Sequence, residues 1–137
     1  MRSTTMSKRL FLDTNIVADF IDSDRPYHQS SVTWYQEMML QNVEFCISED
    51  MITTLYYISK DKEATLVFLQ NVIFVDWQIL TFGQEVHSEA VQISLDKKED
   101  LEDILQCLCA KAKGCDTIIT NDKNFYDCSI EIKGTVS

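Results

Sequence analysis

Residues 10–15 read LFLDTN, a short apolar run that ends on the carboxylate of Asp13. Aliphatic runs of this kind near the start of a chain are typical of a central strand in a buried parallel sheet. In open sheets with this architecture, ligands bind outside the carboxyl ends of the strands. Asp13 is therefore predicted to line a ligand crevice if other polar groups reach the same edge of the sheet.

Composition favours one folded domain. The 137 residues include only three glycines and one proline, and 45% of them are hydrophobic, which suffices for a buried core. Residues 1–7 are polar, so we expect a flexible N-terminal tail there and a single domain over residues 8–137.

The net charge of −10 restricts the function. A chain this acidic does not bind nucleic acid through a general basic surface. It can still act on nucleic acid where metal cations neutralise a local group of carboxylates, and it can attract a basic protein partner.

The cysteines and the hydropathy pattern suggest a cellular setting. The number of cysteines is odd, at five, and no secretory signal precedes them, which predicts free thiols in a reducing, cytoplasmic environment. No apolar stretch approaches the roughly 20 residues of a membrane span, so no membrane association is expected.

Apolar runs alternate with helical patterns along the chain, which predicts an α/β fold with three layers, α/β/α. We expect a mostly parallel central sheet of four to five strands. The candidate strands cover residues 8–13, 43–47, 72–75, 117–120 and 129–132.

The helix predicted from residue 101 carries two carboxylates on one line. Asp100 and Asp103 lie at helical spacing above the small residues Cys107, Ala110 and Gly114, so this line is expected to face neighbouring structure. The alternative is that both carboxylates stabilise the helix N-terminus through its dipole.

Glu102, the neighbour of Asp103, is expected to point elsewhere. At 3.6 residues per turn, the two positions lie about 100° apart round the helix. Only Asp103 of this pair is therefore predicted to join the line of small residues.

A second buried strand also ends on polar groups. Residues 117–122 read TIITND, so Asp122 follows the carboxyl end of its strand as Asp13 follows the first. The alternative role for Asp122 is a turn residue. Asp116 precedes the same strand and should lie at the opposite edge of the sheet.

Asp13, Asp103 and Asp122 are thus predicted to converge, with Asp100 nearby. Several carboxylates in close contact cannot all stay ionised without a cation, and oxygen ligands suit Mg²⁺ or Mn²⁺. A divalent cation can activate water and orient a phosphodiester for hydrolysis. The three aspartates are therefore the candidate catalytic residues, and all four are candidate metal ligands.

In this order and spacing, the motifs resemble the PIN domain, especially the VapC-like ribonuclease toxins. The resemblance covers the chain from about Lys8 to Ile132 and is carried by FLDTN at 11–15, CIS at 46–48, LYYI at 55–58, DLEDILQ at 100–106 and ITNDKNF at 119–125. It implies a PIN-like fold, metal-dependent endonucleolytic cleavage of RNA, a small antitoxin partner and a homodimer.

The resemblance also implies site residues. The family's acidic site carries over to Asp13, Asp103 and Asp122, and Asn15, Thr120 and Asn121 fall on flanking polar positions. One position departs from the family, because Thr54 stands where a glutamate is common. Asp50, one turn earlier, or Asp100 is expected to supply the missing charge.

Two other functions remain open. The chain is alternatively a degenerate PIN-like binding module with little or no nuclease activity, as Thr54 would favour. A phosphatase-like or receiver domain is a poorer match, because Asn15 occupies the position two residues after Asp13 and no glycine-rich phosphate loop is present.

Overall fold

The computed structural model describes residues 7–136, and almost all of the predicted N-terminal tail lies outside these residues. The central sheet has five strands, all parallel, in the order β3-β2-β1-β4-β5. The strands are β1 (Lys8–Leu12), β2 (Val43–Ser48), β3 (Gln78–Leu80), β4 (Thr117–Ile119) and β5 (Glu131–Lys133). The α/β prediction is confirmed, and the sheet is wholly parallel.

Helices connect the strands. They are α1 (Thr14–Ile21), α2 (His28–Met39), α3 (Met51–Ile58), α4 (Lys62–Phe68), α5 (Phe74–Asp76), α6 (Gln84–Lys97) and α7 (Leu101–Ala112), with a π-helical segment, Leu69–Ile73, between α4 and α5. Helix α1 packs against α2, α3 and α4, whereas α6 packs against α7. Within residues 7–136, none of these helices has the length and apolar character needed to cross a membrane.

The strand order creates a crevice beside β1. The chain moves from β1 outward to β2 and β3, then crosses back to place β4 on the other side of β1. Right-handed crossovers put the two sets of connecting helices on opposite faces of the sheet. Where the strand order reverses in this way, a crevice that can bind a ligand forms at the carboxyl ends of the strands. Asp13 and Asp122 follow the two strands that flank it.

The core is built on the central strands and one aromatic cluster. Leu10, Phe11 and Leu12 are all buried, as expected for a strand covered on both faces. The aromatic cluster packs one side chain of β2 against rings from the helices and from the residue before β3. Its members are Phe20, Trp34, Tyr35, Phe45, Phe68 and Trp77.

The third strand was wrongly predicted. Residues 72–75 are helical, and β3 begins later, at Gln78. The β-branched and aromatic composition of 72–75 resembles a strand, but Leu69 and Ile73 are both buried at a spacing of four, which is the helical period. The helical pattern therefore continues through residues 72–75 and overrides the local preference for a strand.

The prediction that all cysteines are free is also wrong. Cys107 of α7 forms a disulfide with Cys128, which lies between β4 and β5, and their Cα atoms are 6.0 Å apart. The remaining thiols, Cys46, Cys109 and Cys115, are free and buried. The odd count gave no indication that these two cysteines, separated by 21 positions, face each other in the fold.

Candidate active site

A polar cavity of about 510 Å³ opens at the carboxyl ends of β1 and β4. Its wall combines the start of α1, the end of α3, the start of α7 and the turn after β4. The lining residues are Asp13, Thr14, Asn15, Thr54, Ile58, Glu99, Asp100, Glu102, Asp103, Asp122 and Asn124. All four predicted metal ligands therefore line one cavity.

Asp13 is the most deeply placed of the acidic groups. Its residue is only 5% exposed, and burial raises the pKa of its carboxyl group. The hydroxyl of Thr120 opposes that effect by donating a 2.8 Å hydrogen bond to Asp13 Oδ2. The nearby carboxylates of Glu102 and Asp122 raise the pKa further. Asp13 is thus a buried carboxylate whose ionised form is stabilised by the hydrogen bond from Thr120.

Asp103 has the more strongly shifted carboxyl group. Its pKa is raised to about 7, first by partial burial and then by repulsion from Asp100, Asp13, Asp122 and Glu102. A carboxyl group with this pKa is half protonated near neutral pH in the absence of a cation. The shift results from the concentration of negative charge in the cavity.

Asp100 and Asp122 also have local structural roles. Asp100 is the N-cap of α7, and its carboxylate accepts a 3.1 Å hydrogen bond from the backbone N–H of Asp103. Asp122 accepts a 2.9 Å hydrogen bond from the N–H of Asn124, which is an Asx turn. Asp100 thus caps the helix and Asp122 makes the turn that was its alternative role, and both residues also line the cavity.

Glu102 lies in the cavity wall, contrary to the sequence prediction. Its Oε1 accepts hydrogen bonds of 3.2 Å from the hydroxyl of Thr14 and from Nε2 of Gln106. The helical angle alone was misleading, because a glutamate side chain is long enough to swing toward donors on a neighbouring element. A glutamine four residues later, on the same face, was the available signal in the sequence.

The remaining predicted residues divide into two groups. Thr54 and Asn15 line the cavity, and Asn15 Oδ1 accepts a 3.0 Å hydrogen bond from Arg25. Asp50 is exposed and does not contribute to the lining, although its backbone carbonyl accepts the Thr54 hydroxyl at 3.2 Å. Asn121 also lies outside the lining.

Asn121 instead anchors the chain that follows β5. Its side-chain amide donates to the Thr135 hydroxyl and accepts from the Thr135 N–H, both at 2.9 Å. At the other edge of the sheet, Asp116 accepts a 2.7 Å hydrogen bond from the N–H of Arg9. The prediction that Asp116 lies away from the site is therefore confirmed.

The donors in the cavity fit a hard divalent cation by their chemistry. Carboxylate, hydroxyl and amide oxygens are the ligands such ions prefer, and positive charge would relieve the repulsion that raises the pKa of Asp103. Among residues 7–136, no three acidic, histidine or cysteine side chains stand close enough to hold one ion. In this arrangement the carboxylates therefore line the cavity without forming a closed coordination sphere.

Comparison with known proteins places these features in a family. The family model described as PIN domain matches residues 10–130. Ribonuclease VapC1 from Aquifex aeolicus (strain VF5) is 35% identical over 133 residues, which cover 94% of this chain and 92% of the relative.

Solved structures share the fold at lower identity. The VapC20 toxin of Mycobacterium tuberculosis, a Sarcin-Ricin loop cleaving toxin, superposes with a TM-score of 0.70 at 13% identity, over 85% of this chain and 92% of that one. A chain of VapBC2 from Rickettsia felis superposes with a TM-score of 0.68 at 22% identity, over 92% of this chain and 98% of that one. A chain of a toxin–antitoxin complex from Klebsiella pneumoniae superposes with a TM-score of 0.65 at 18% identity, over 88% of this chain and 92% of that one. The family model and the curated relative together show that this chain belongs to the PIN domain family.

Proposed function

We propose that this chain is a metal-dependent endoribonuclease that hydrolyses RNA phosphodiester bonds and acts as the toxin of a toxin–antitoxin pair. Similarity to Ribonuclease VapC1 over almost the whole chain supports the activity. The observation that carries the proposal is a single cavity that buried Asp13, Asp103 and Asp122 all line, at the point where the sheet order reverses.

The acidic residues are assigned to the metal. Asp13, Asp103 and Asp122 would hold Mg²⁺ or Mn²⁺, with Asp100 beside them, because ionised carboxylates are the strongest oxygen ligands available in the cavity. When bound, such an ion supplies Lewis acidity toward a phosphodiester and toward water.

Neighbouring polar groups position these carboxylates. The Thr120 hydroxyl holds one oxygen of Asp13 in the wall of the cavity. The Asp100 carboxylate is fixed by the α7 backbone, which orients the first turn that carries Asp103. Such supporting contacts set the geometry of a metal site as much as the ligands do.

The partners follow from the function. We propose an RNA substrate, a small antitoxin protein, a homodimer and a cytoplasmic location, where RNA is available. Antitoxin pairing is supported by the Rickettsia felis and Klebsiella pneumoniae structures. The exposed apolar side chains of Tyr57, Ile58 and Leu66 provide surface suited to a protein partner.

Growth arrest on expression tests the toxin function. Expression of the wild-type chain should halt growth and cleave cellular RNA, whereas Asp103→Asn should do neither at equal protein levels. Asp116→Asn is the matched control, because it removes a carboxylate from the opposite edge of the sheet. Arrest by Asp103→Asn equal to that by the wild type would contradict the assignment.

One observation favours a second candidate, a PIN-like binding module with little or no nuclease activity. Thr54 lines the cavity without adding a charge, and its hydroxyl is engaged with the Asp50 carbonyl. Titration of Mn²⁺ by calorimetry separates the two candidates. Binding that disappears in Asp103→Asn supports the enzyme, whereas equally weak binding in both proteins supports the module.

A further inference from the structure

We propose that Glu102 is an additional metal-ligating carboxylate of this site, and that Thr14 and Gln106 are the residues that position it. This inference rests on the proposed metal-dependent function. It gives each of these three side chains a specific task in the cavity.

The hydrogen bonds leave one oxygen of Glu102 available. Both donors, Thr14 Oγ1 and Gln106 Nε2, bind the same oxygen, Oε1, at 3.2 Å. Gln106 Nε2 also donates to Thr14 Oγ1 at 3.2 Å, which closes a three-membered network. Oε2 accepts no hydrogen bond from any residue between 7 and 136. A carboxylate held through one oxygen presents the other to a cation, as in sites whose ligands are oriented by surrounding donors.

Gln106 is placed in a way that core packing alone does not explain. The residue is only 1% exposed, and its Oε1 is buried without a hydrogen-bond partner. An unpaired buried carbonyl destabilises a fold, and an aliphatic side chain of similar size would avoid that cost. The amide is oriented by the network, because its donor side faces Thr14 and Glu102.

Position also favours Glu102 among the cavity carboxylates. It lines the same cavity as Asp13 and Asp103, and donors from two helices hold it there. Glu99 lines the same cavity, but no residue of the described part of the chain donates a hydrogen bond to its side chain. Glu99 therefore lacks the fixed orientation of Glu102 and provides a matched comparison.

Calorimetric titration of the RNA-free protein with Mn²⁺ tests this role. Glu102→Gln should weaken Mn²⁺ binding by about 10- to 100-fold, the range for residues that build a metal site. Glu99→Gln removes the same charge from the same cavity and should weaken binding by no more than about threefold, since a carboxylate that no donor orients contributes only a charge screened by solvent and salt.

Gln106→Leu tests the positioning role separately from folding. It removes the donor to Glu102 and the unpaired carbonyl together, so Mn²⁺ affinity should fall about tenfold while the midpoint of thermal unfolding stays the same or rises. A purely structural glutamine would give the reverse pattern, with lower thermal stability and unchanged affinity, and that result would overturn the positioning role.

The outcomes separate this inference from the proposed function. Equal Mn²⁺ affinity in Glu102→Gln and the wild type would remove Glu102 from the site and leave the metal-dependent function standing. Equal losses in Glu102→Gln and Glu99→Gln would show a general effect of charge and would also overturn the inference. A wild-type protein that binds no Mn²⁺ would overturn both.

Discussion

The carboxyl group of Asp103 links the acidic cavity to the stability of the whole fold. Its pKa is raised from 3.8 to about 7, so between these values the folded protein binds more protons than the unfolded chain. Stability therefore falls as pH rises from about 4 to about 7, as proton linkage requires. The cavity is a site of electrostatic strain when no cation is bound.

Asp103→Asn should remove this dependence. In metal-free buffer, the variant is expected to be more stable than the wild type at pH 8, because a repelled carboxylate becomes a neutral amide. At about pH 3 the two proteins should differ little, because the wild-type group is then protonated both in the folded protein and in the unfolded chain. Thermal unfolding at both pH values measures this, and a variant that gains no stability at pH 8 would contradict the account.

Thr120 provides a second test at the level of a single residue, the hydrogen bond that it donates to Asp13. Thr120→Val deletes the hydroxyl that favours the ionised form of Asp13, so the pKa of Asp13 should rise and Mn²⁺ affinity at pH 7 should fall. A hydrogen bond to a charged group contributes about 1.5–3 kcal/mol, which sets the upper limit of the loss at about 100-fold.

The matched control for this change lies at the start of β4, the strand that Thr120 follows. Thr117→Val also removes a hydroxyl bonded to a carboxylate, that of Glu131, but at the amino end of β4. Its Mn²⁺ affinity should equal that of the wild type. An equal loss of affinity in both variants would show that the effect comes from the strand and not from Asp13.

At the scale of the elements, one covalent link joins two walls of the cavity. The Cys107–Cys128 disulfide connects α7, which carries Asp103, to the chain that leaves the cavity at Asp122. A cross-link closing a loop of about 20 residues contributes about 3 kcal/mol by restricting the unfolded chain.

Reduction should therefore lower the free energy of unfolding by about 3 kcal/mol. Denaturant unfolding with and without a thiol reductant measures the change in the wild type. Cys128→Ser, which cannot form the link, should show no response to reductant. If the wild type is equally unaffected, the disulfide does not contribute to stability.

The elements also show where sequence reasoning succeeds and where it does not. Asp13 and Asp122 could be located because each lies within three residues of the end of a buried strand, and parallel strands end at one edge. Glu102 could not, since its orientation depends on donors from α1 as well as α7. Residues 72–75 were misassigned because a buried strand and a buried helical segment share the same composition. Only the spacing of buried residues, four in a helix and two in a strand, distinguishes them.

At the scale of the whole molecule, the charge determines how RNA is approached. The chain has 22 acidic and 12 basic residues, so its overall field repels a polyanion. A protein that neutralises six to ten phosphates loses about 10³- to 10⁵-fold in affinity between 50 and 200 mM salt. This chain should instead show a shallow salt dependence, and RNA association should depend on a divalent cation in the cavity.

Fluorescence anisotropy with a labelled oligoribonucleotide measures this dependence. Because Asp13→Asn would remove a proposed ligand of the cation, the experiment uses the wild type and records anisotropy before cleavage products accumulate. The affinity of the wild type at fixed Mn²⁺ should change by less than about tenfold between 50 and 200 mM KCl. A steep loss over this range would indicate a basic RNA-binding surface that contradicts this account.

Metal-dependent cleavage of RNA is the central claim, and one assay tests it most directly. The wild type and Asp13→Asn are incubated with a pool of single-stranded RNA, with either Mn²⁺ or a chelator, and the ends of the products are sequenced. The account predicts internal cleavage by the wild type only, in Mn²⁺ only. Cleavage by Asp13→Asn at the wild-type rate, or none by the wild type with Mn²⁺, would contradict it.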